Sequence, residues 1–132
     1  MFTNGSMTIL NRINDPTTKE VYYISKVVEN VFWDSVESVS ERNGADKNDE
    51  VVVYLPTDKN DMTNYVEPKQ FNGEIATWTI KEGDFIIRDI IQSGQRIDGI
   101  KELKDYETFT IKFVDYNDFG STNMQHFKIK GK

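Results

Sequence analysis

The sequence contains no cysteine and only one histidine. Without cysteine the chain has no disulfide bonds and no thiolate metal sites, and a composition of this kind fits assembly in a reducing cytoplasm. With His126 as the only histidine, neither a histidine-rich metal site nor a Ser/His/Asp triad can be built without it. Its neighbours are strand-type residues, and we interpret it as a surface or hairpin position. We therefore predict a protein that is not an enzyme and that needs no cofactor or metal.

Positive charge is also scarce, because 16 Lys and Arg stand against 22 Asp and Glu, a formal net charge of −6. Binding to a phosphate backbone needs clustered Lys and Arg, so specific nucleic-acid binding is not expected. No apolar run approaches the roughly 20 residues that cross a bilayer, and the start of the chain has no basic and apolar signal segment. We expect neither membrane insertion nor secretion by that route.

What the chain does contain is a series of short runs rich in β-branched and aromatic residues, each closed by a turn cluster. With 132 residues, 37% of them hydrophobic and 12% aromatic, it can bury one core. We interpret residues 1–6 as a flexible leader or tag remnant and residues 7–132 as a single domain. The prediction is a mainly β fold, a small antiparallel β-barrel or two-sheet sandwich with one short helix.

Four hairpins are predicted from these runs. Residues 8–13 pair with 21–24, and a strand over residues 26–40, bent near Glu29 and Asn30, pairs with 51–55. Residues 75–80 pair with 85–91 across a turn at 81–84, and residues 108–114 pair with 123–130. The short helix follows Asp98 as its N-cap, with Ile100 and Leu103 one turn apart.

Two long polar connections, residues 41–49 and 56–73, interrupt this pattern. Long loops in compact domains are usually functional or disordered, so we predict that they contact partners. The candidate contact residues are Asn43, Asp46, Asp49, Asp58, Asn60, Asp61, Tyr65 and Glu67.

Two acidic loops, residues 58–61 and 115–120, resemble the opening of a calcium loop. Thr63 stands where the first would need glycine, and His126 stands where the second would need a bidentate Glu, so we interpret both as polar turns. Aromatic residues could also form a stacking platform for sugars or bases, but most lie in alternating strands, which predicts that they fill the core. These are Trp33, Tyr54, Tyr65, Trp78 and Phe113.

Short stretches along nearly the whole chain from Met7 carry a family resemblance. They are residues 7–11 (MTILN), 31–36 (VFWDSV), 52–56 (VVYLP), 65–68 (YVEP), 81–87 (KEGDFII) and 126–132 (HFKIKGK). In this order they resemble an uncharacterised family of small structural proteins of tailed phages and prophages from Gram-positive hosts, encoded among head and tail morphogenesis genes. The resemblance implies a virion component near the head–tail junction or a minor capsid protein, with no catalytic residues.

We therefore predict a head–tail connector subunit, either a head-completion (stopper) or an adaptor protein, in a homo-oligomeric ring at the portal–tail junction. Expected partners are the portal, adaptor, tail terminator or tail tube proteins, and the expected location is the virion, after assembly in the host cytoplasm. Two alternatives stay open: a tail or baseplate component, and a carbohydrate or cell-surface binding module.

Overall fold

The computed structural model describes residues 3–36, 50–74, 76–121 and 124–132. These residues form an antiparallel β structure with a single one-turn helix, so the predicted mainly β fold class is confirmed. The strands are β1 (Gly5–Asn14), β2 (Val21–Val36), β3 (Glu50–Pro56), β4 (Phe85–Ile87), β5 (Arg96–Ile97), β6 (Thr108–Asn117) and β7 (His126–Gly131).

The strands are joined in the order β1-β4-β6-β7-β3-β2, and β1 also pairs with β2, which closes the ring of hydrogen-bonded strands. Two strands change partners along their length. Residues 21–31 of β2 pair with β1, and residues 32–36 pair with β3. Likewise residues 108–110 of β6 pair with β4, and residues 111–117 pair with β7. Strand β5 adds to the outside of β2. The predicted hairpins β1–β2, β2–β3 and β6–β7 are therefore present.

A β-bulge bends β2 where the sequence predicts a bend. Gly5 of β1 is opposite Val31 of β2, whereas Met7 is opposite Val28, so β2 has one extra residue at Glu29 and Asn30. An extra residue interrupts the ladder and increases the local twist. The bulge thus lets β2 leave β1 and join β3.

The interior of the barrel contains the main hydrophobic core. Met7, Ile9, Val53, Leu55 and Ile129 all have no exposed surface. They alternate along their strands with outward-facing residues, which is the pattern of a sheet with one buried face. A fully buried side chain of this size contributes roughly 1.5–3 kcal/mol. A second, smaller cluster lies outside the barrel, under the chain that follows β4, and comprises Leu10, Ile87, Ile91, Ile97 and Leu103.

The third predicted hairpin, residues 75–80 with 85–91, is wrong. Strand β4 is short and pairs with β1 and β6 instead. Residues 76–80 make only an isolated bridge, from Trp78 to Tyr65. The side chain of Asn11 takes the place of a neighbouring strand, because its Oδ1 accepts from the Thr79 amide at 3.1 Å and its Nδ2 donates to the Thr79 carbonyl at 2.8 Å. Alternation alone did not distinguish this buried loop from a strand.

The short helix is present as one 3-10 turn, Ile100–Leu103. Its N-cap is Gly99 rather than the predicted Asp98. The Glu102 carboxylate accepts from the backbone amides of Asp98 and Gly99 at 2.7 and 3.2 Å, while the Asp98 side chain pairs with Arg96 at 2.7 Å. Glu102, the third residue of the turn, thus binds back to the N-cap backbone, and no side chain among the described residues caps the first amides of the turn.

The ordered fold begins earlier than the predicted boundary at Met7. Asn4 accepts from the Trp33 amide at 2.8 Å and donates to the Trp33 carbonyl at 3.2 Å, and the Trp33 indole donates to the Ser6 carbonyl at 2.9 Å. Gly5 starts β1 against the same ring, which a Cβ on Gly5 would approach to 3.2 Å. Residues 4–6, predicted as part of a leader, are therefore part of the barrel.

Candidate protein-interaction site

Several chain segments meet at one end of the barrel. Strands β1, β3 and β6 run toward this end, and β2, β4 and β7 run away from it, as their antiparallel registers require. The β1–β2 turn and the β6–β7 loop therefore lie here. Residues 57–84, called the closing segment below, connect β3 to β4 at the same end. Most of the predicted contact loop, residues 56–73, belongs to it.

The closing segment covers the end of the core. Tyr65 and Trp78 form its centre: the Val66 amide donates to the Trp78 carbonyl at 2.9 Å, and the Trp78 amide donates to the Asn64 carbonyl at 3.1 Å. The Tyr65 ring lies 5.2 Å from the rings of both Trp78 and Phe127. With Ile80 also buried, this segment closes the barrel rather than hanging free in solvent.

A buried polar group lies beside it. The Asp84 side chain has 1% exposure, accepts from Asn11 Nδ2 at 3.1 Å and lies 3.8 Å from Lys81 Nζ. Burial raises the pKa of Asp84, because it disfavours the charged carboxylate more than the Asn11 bond and the Lys81 charge favour it. Asn11 holds both Thr79 and Asp84, so it fixes the end of the closing segment to β1.

Three of the predicted contact residues lie at the start of the closing segment. Asn60 Nδ2 donates to the carbonyls of Asn30 and Pro56 at 2.8 and 2.9 Å, and its Oδ1 accepts from the Asn30 amide at 3.3 Å. It therefore satisfies the backbone of the β2 bulge. Asp61 accepts from the Thr63 amide and hydroxyl, which lowers its pKa. Asp58 is exposed. The other three predicted residues, Asn43, Asp46 and Asp49, lie outside the described residues.

The remaining two predicted contact residues, Tyr65 and Glu67, line a groove of about 510 Å³ between the closing segment and β6–β7. Burial, and secondarily the charge of Glu67, raise the pKa of Tyr65 to about 12, so its hydroxyl is protonated at neutral pH. Glu67 is exposed at the rim. The structure brings these two residues together with Ile80, Val114, Tyr116 and Phe127.

The outer part of β6–β7, residues 112–121 and 124–130, is called the ribbon below. Its residues 126–130 also pair with β3, so β6 forms the outer edge of the ribbon. A bulge at Lys112 shifts the register, because Ile111 is opposite Gly131 while Phe113 is opposite Lys130. Phe113 is thereby turned outward and is 43% exposed, so its predicted place in the core is wrong. Tyr116 is 44% exposed, and near the end of the ribbon Phe119 is 81% and Met124 55% exposed.

Sequence reasoning missed this apolar ribbon. The register shift at Lys112 depends on which residue of β7 lies opposite, which a local pattern does not contain. One signal was available: Phe119 lies within the turn cluster at residues 115–120, where an apolar side chain has no strand partner to pack against. Exposed apolar side chains concentrated on one hairpin in this way are typical of an interaction surface.

The other predicted aromatic core residues differ in position. Trp33 and Trp78 are 5% and 2% exposed, which confirms them as core residues and leaves neither ring free to stack on a sugar. Tyr54 is half-buried on the outer face, where its ring lies 6.2 Å from Phe32 and 5.5 Å from His126. Lys128 Nζ lies 6.0 Å above the same ring.

No group of three or more His, Asp or Glu that could hold a metal ion is found among the described residues. In the two calcium-like loops, the turn-forming side chains bind their own backbone: Asp61 accepts from Thr63, and Asn117 Oδ1 accepts from the Phe119 amide at 3.1 Å. Within the described ranges no helix has the length and apolar character needed to span a membrane.

The fold and site define a class: a small closed β-barrel with exposed apolar side chains on the β6–β7 ribbon, near the end that a long connecting segment covers. More particularly, the chain belongs to a family of unknown function, DUF6751, whose model matches residues 2–132. Neither a curated protein nor a solved structure matches the chain.

Proposed function

We propose that this protein is a non-enzymatic structural subunit of a tailed-phage virion, a head–tail connector that assembles into a ring at the portal–tail junction. Its partners are then other head and tail proteins, and it is made in the bacterial host cytoplasm before assembly into the virion. The sequence resemblance to small phage structural proteins supports the biological setting. The exposed apolar side chains of the ribbon support a role in binding other proteins.

The observation that carries the proposal is the exposed apolar ribbon. Phe113, Tyr116, Phe119 and Met124 are all exposed on one hairpin, whereas the core residues of the barrel are buried. Scattered exposed apolar residues are ordinary, but several on one hairpin favour burial against another protein. Aromatic residues and methionine are also the types enriched at protein interfaces.

A closed barrel with exposed apolar residues on one hairpin suits a ring subunit. The barrel leaves few free strand edges, which limits uncontrolled association. A ring requires that one surface of each subunit contact a different surface of the next. Exposed apolar side chains on one side of a rigid body can provide such a head-to-tail contact.

The proposal is tested by co-expressing the full-length chain with the portal and tail-tube proteins of the same genome. Complexes are then analysed by sedimentation and negative-stain electron microscopy. We expect the double substitution Phe119→Ser with Met124→Ser to weaken assembly about tenfold or more, because it removes the apolar end of the ribbon. Ile90→Ser is the matched control, since Ile90 is 57% exposed but follows β4, away from the ribbon.

Two results would contradict the proposal. A chain that stays monomeric and associates with no head or tail protein is not a connector. If the ribbon substitutions leave assembly unchanged, or if the Ile90 control weakens assembly equally, the ribbon is not the contact surface. Circular dichroism of each variant shows whether the barrel is still folded.

A further inference from the structure

The ribbon has an open strand edge. Residues 113–117 of β6 pair with β7 on one side, and beyond Ile111 no strand among the described residues pairs with the other side of β6. No backbone hydrogen bond within the described residues links residues 113–117 to the closing segment. In an antiparallel strand every second residue directs its amide and carbonyl toward a given edge. This edge therefore presents backbone groups that a further strand can bind.

A groove with an apolar floor follows this open edge. Tyr65, Ile80, Val114, Tyr116 and Phe127 line it, and its volume is about 510 Å³, within the range of ordinary ligand clefts. Val114 and Tyr116 are on the inner side of β6, opposite Ile129 and Phe127 of β7. An added strand would direct every second side chain into this groove.

The rim of the groove is acidic. Glu67 and Glu82 are exposed there, and Asp115 lies on the outer side of the open edge. No ion pair among the described residues involves any of these three carboxylates. The nearby Lys81 instead lies 3.8 Å from the Asp84 carboxylate. Lys81 is the one basic residue among those that line the groove, so Glu67 and Glu82 leave an excess of negative charge there, which favours a positively charged occupant.

Strand β7 already shows how such an occupant fits β6. On the paired edge, Lys128 is opposite Asp115 and Lys130 is opposite Phe113, with Lys130 Nζ 5.4 Å from the Phe113 ring centre. Phe127 and Ile129 alternate with them and are buried. The open edge offers the same outer and inner faces of β6.

We propose that the open edge of β6 binds an extended segment of a partner protein, in which apolar residues alternate with Lys or Arg, by adding it as a strand to the sheet. The apolar side chains enter the groove and the basic ones face Asp115 and the acidic rim. This inference rests on the proposed function and names the chemistry of the partner. The same edge of a second copy is disfavoured as the occupant, because it carries the same acidic rim, whereas the ring contact proposed above joins the ribbon to a different surface of the next subunit.

The test is an NMR titration of the 15N-labelled full-length chain with the synthetic peptide acetyl-Lys-Val-Lys-Ile-Lys-Val-amide. We expect it to shift the backbone amide signals of residues 113–117. A peptide N-methylated at alternate residues, which cannot pair with the edge, and a peptide with Glu in place of Lys should both bind about tenfold more weakly or not at all.

Charge reversal of the rim gives the reciprocal test. Glu67→Lys with Glu82→Lys should weaken the lysine peptide about fivefold and strengthen the glutamate peptide, as expected for rim charges. The matched control is Asp105→Lys with Glu107→Lys, an exposed pair before β6 that should change neither.

Several outcomes would overturn the inference. They are no shift at residues 113–117, equal binding of the N-methylated peptide, and shifts located on the β1–β2 hairpin. If the concentrated chain alone produces the shifts, the occupant is a second copy and the assigned partner is wrong. The titration does not require a ring. If the peptide does not bind but the chain still assembles, this inference fails and the proposed connector function is retained. If the peptide binds but the chain does not assemble, the connector function fails and the inference about the groove is retained.

Discussion

At the scale of single residues, Asp84 is a carboxyl group held at the end of the core by neighbours from distant parts of the chain. Asn11 is 73 positions away in sequence and supplies its hydrogen bond. From sequence, Asp84 is one polar member of a turn, and nothing local indicates that it is buried. Asn60 shows the same limit: it was predicted as a contact residue, yet its amide serves the β2 bulge at Asn30.

We expect Asp84 to make stability depend on pH in a defined direction. Its pKa is raised in the folded state, so the folded protein binds this proton more tightly than the unfolded chain. The contribution of Asp84 is therefore unfavourable at neutral pH, and stability increases as pH falls through the raised pKa toward the ordinary value of 3.8. Asp15 and Asp61 have lowered pKa values in the folded state, so they stabilise the fold at neutral pH. Their contribution is lost only as the pH falls below the ordinary pKa of 3.8.

Urea unfolding of the parent and of Asp84→Asn, from about pH 7 to about pH 4.5, checks this expectation. The neutral amide keeps an acceptor for Asn11 and removes the titration. The parent should gain stability relative to the variant as pH falls. A constant difference across this range would show that Asp84 does not titrate as its burial requires.

At the scale of elements, local patterns predicted the hairpins whose strands are adjacent in sequence and alternate cleanly. The pairs β1–β2, β2–β3 and β6–β7 are of this kind. The pattern failed for residues 76–80, where a side chain replaces a strand partner, and for Phe113, where a bulge reverses the exposed face. In both places the outcome depends on a residue far away in sequence.

The junction between the closing segment and the β2 bulge provides an element-scale prediction. Asn60→Ala removes the three hydrogen bonds that link Asn60 to Asn30 and Pro56, and should lower the free energy of unfolding by about 1–3 kcal/mol. Urea denaturation measures the change. Asp58→Ala, at an exposed neighbouring position, is the control and should stay within about 0.5 kcal/mol. If both substitutions lower the free energy of unfolding equally, the hydrogen bonds of Asn60 do not stabilise this junction.

At the scale of the whole molecule, the barrel is closed by pairings between segments far apart in sequence. Strand β1 pairs with β4, and β3 pairs with β7. The sequence predicts a barrel or sandwich from the number and type of strands, but the closing pairs are not contained in any local pattern. The same is true of the N-terminal boundary, because residues 4–6 are polar or small and belong to the fold through contacts with Trp33, Val31 and Glu29 of β2.

The N-terminal segment therefore gives a prediction for the molecule as a unit. Deleting residues 1–6 removes the Asn4 bonds to Trp33, the Ser6 carbonyl that accepts from its indole and the start of β1. We expect a loss of about 2–4 kcal/mol in the free energy of unfolding, from the lost hydrogen bonds and the exposed ring.

The single substitution Asn4→Ala should lower the free energy of unfolding by about 1–2 kcal/mol, with Thr3→Ala as its control. Tryptophan fluorescence during urea unfolding reports both changes, because Trp33 and Trp78 are buried in the folded protein. If the deletion leaves stability unchanged, the domain begins at Met7 and residues 4–6 are dispensable to it.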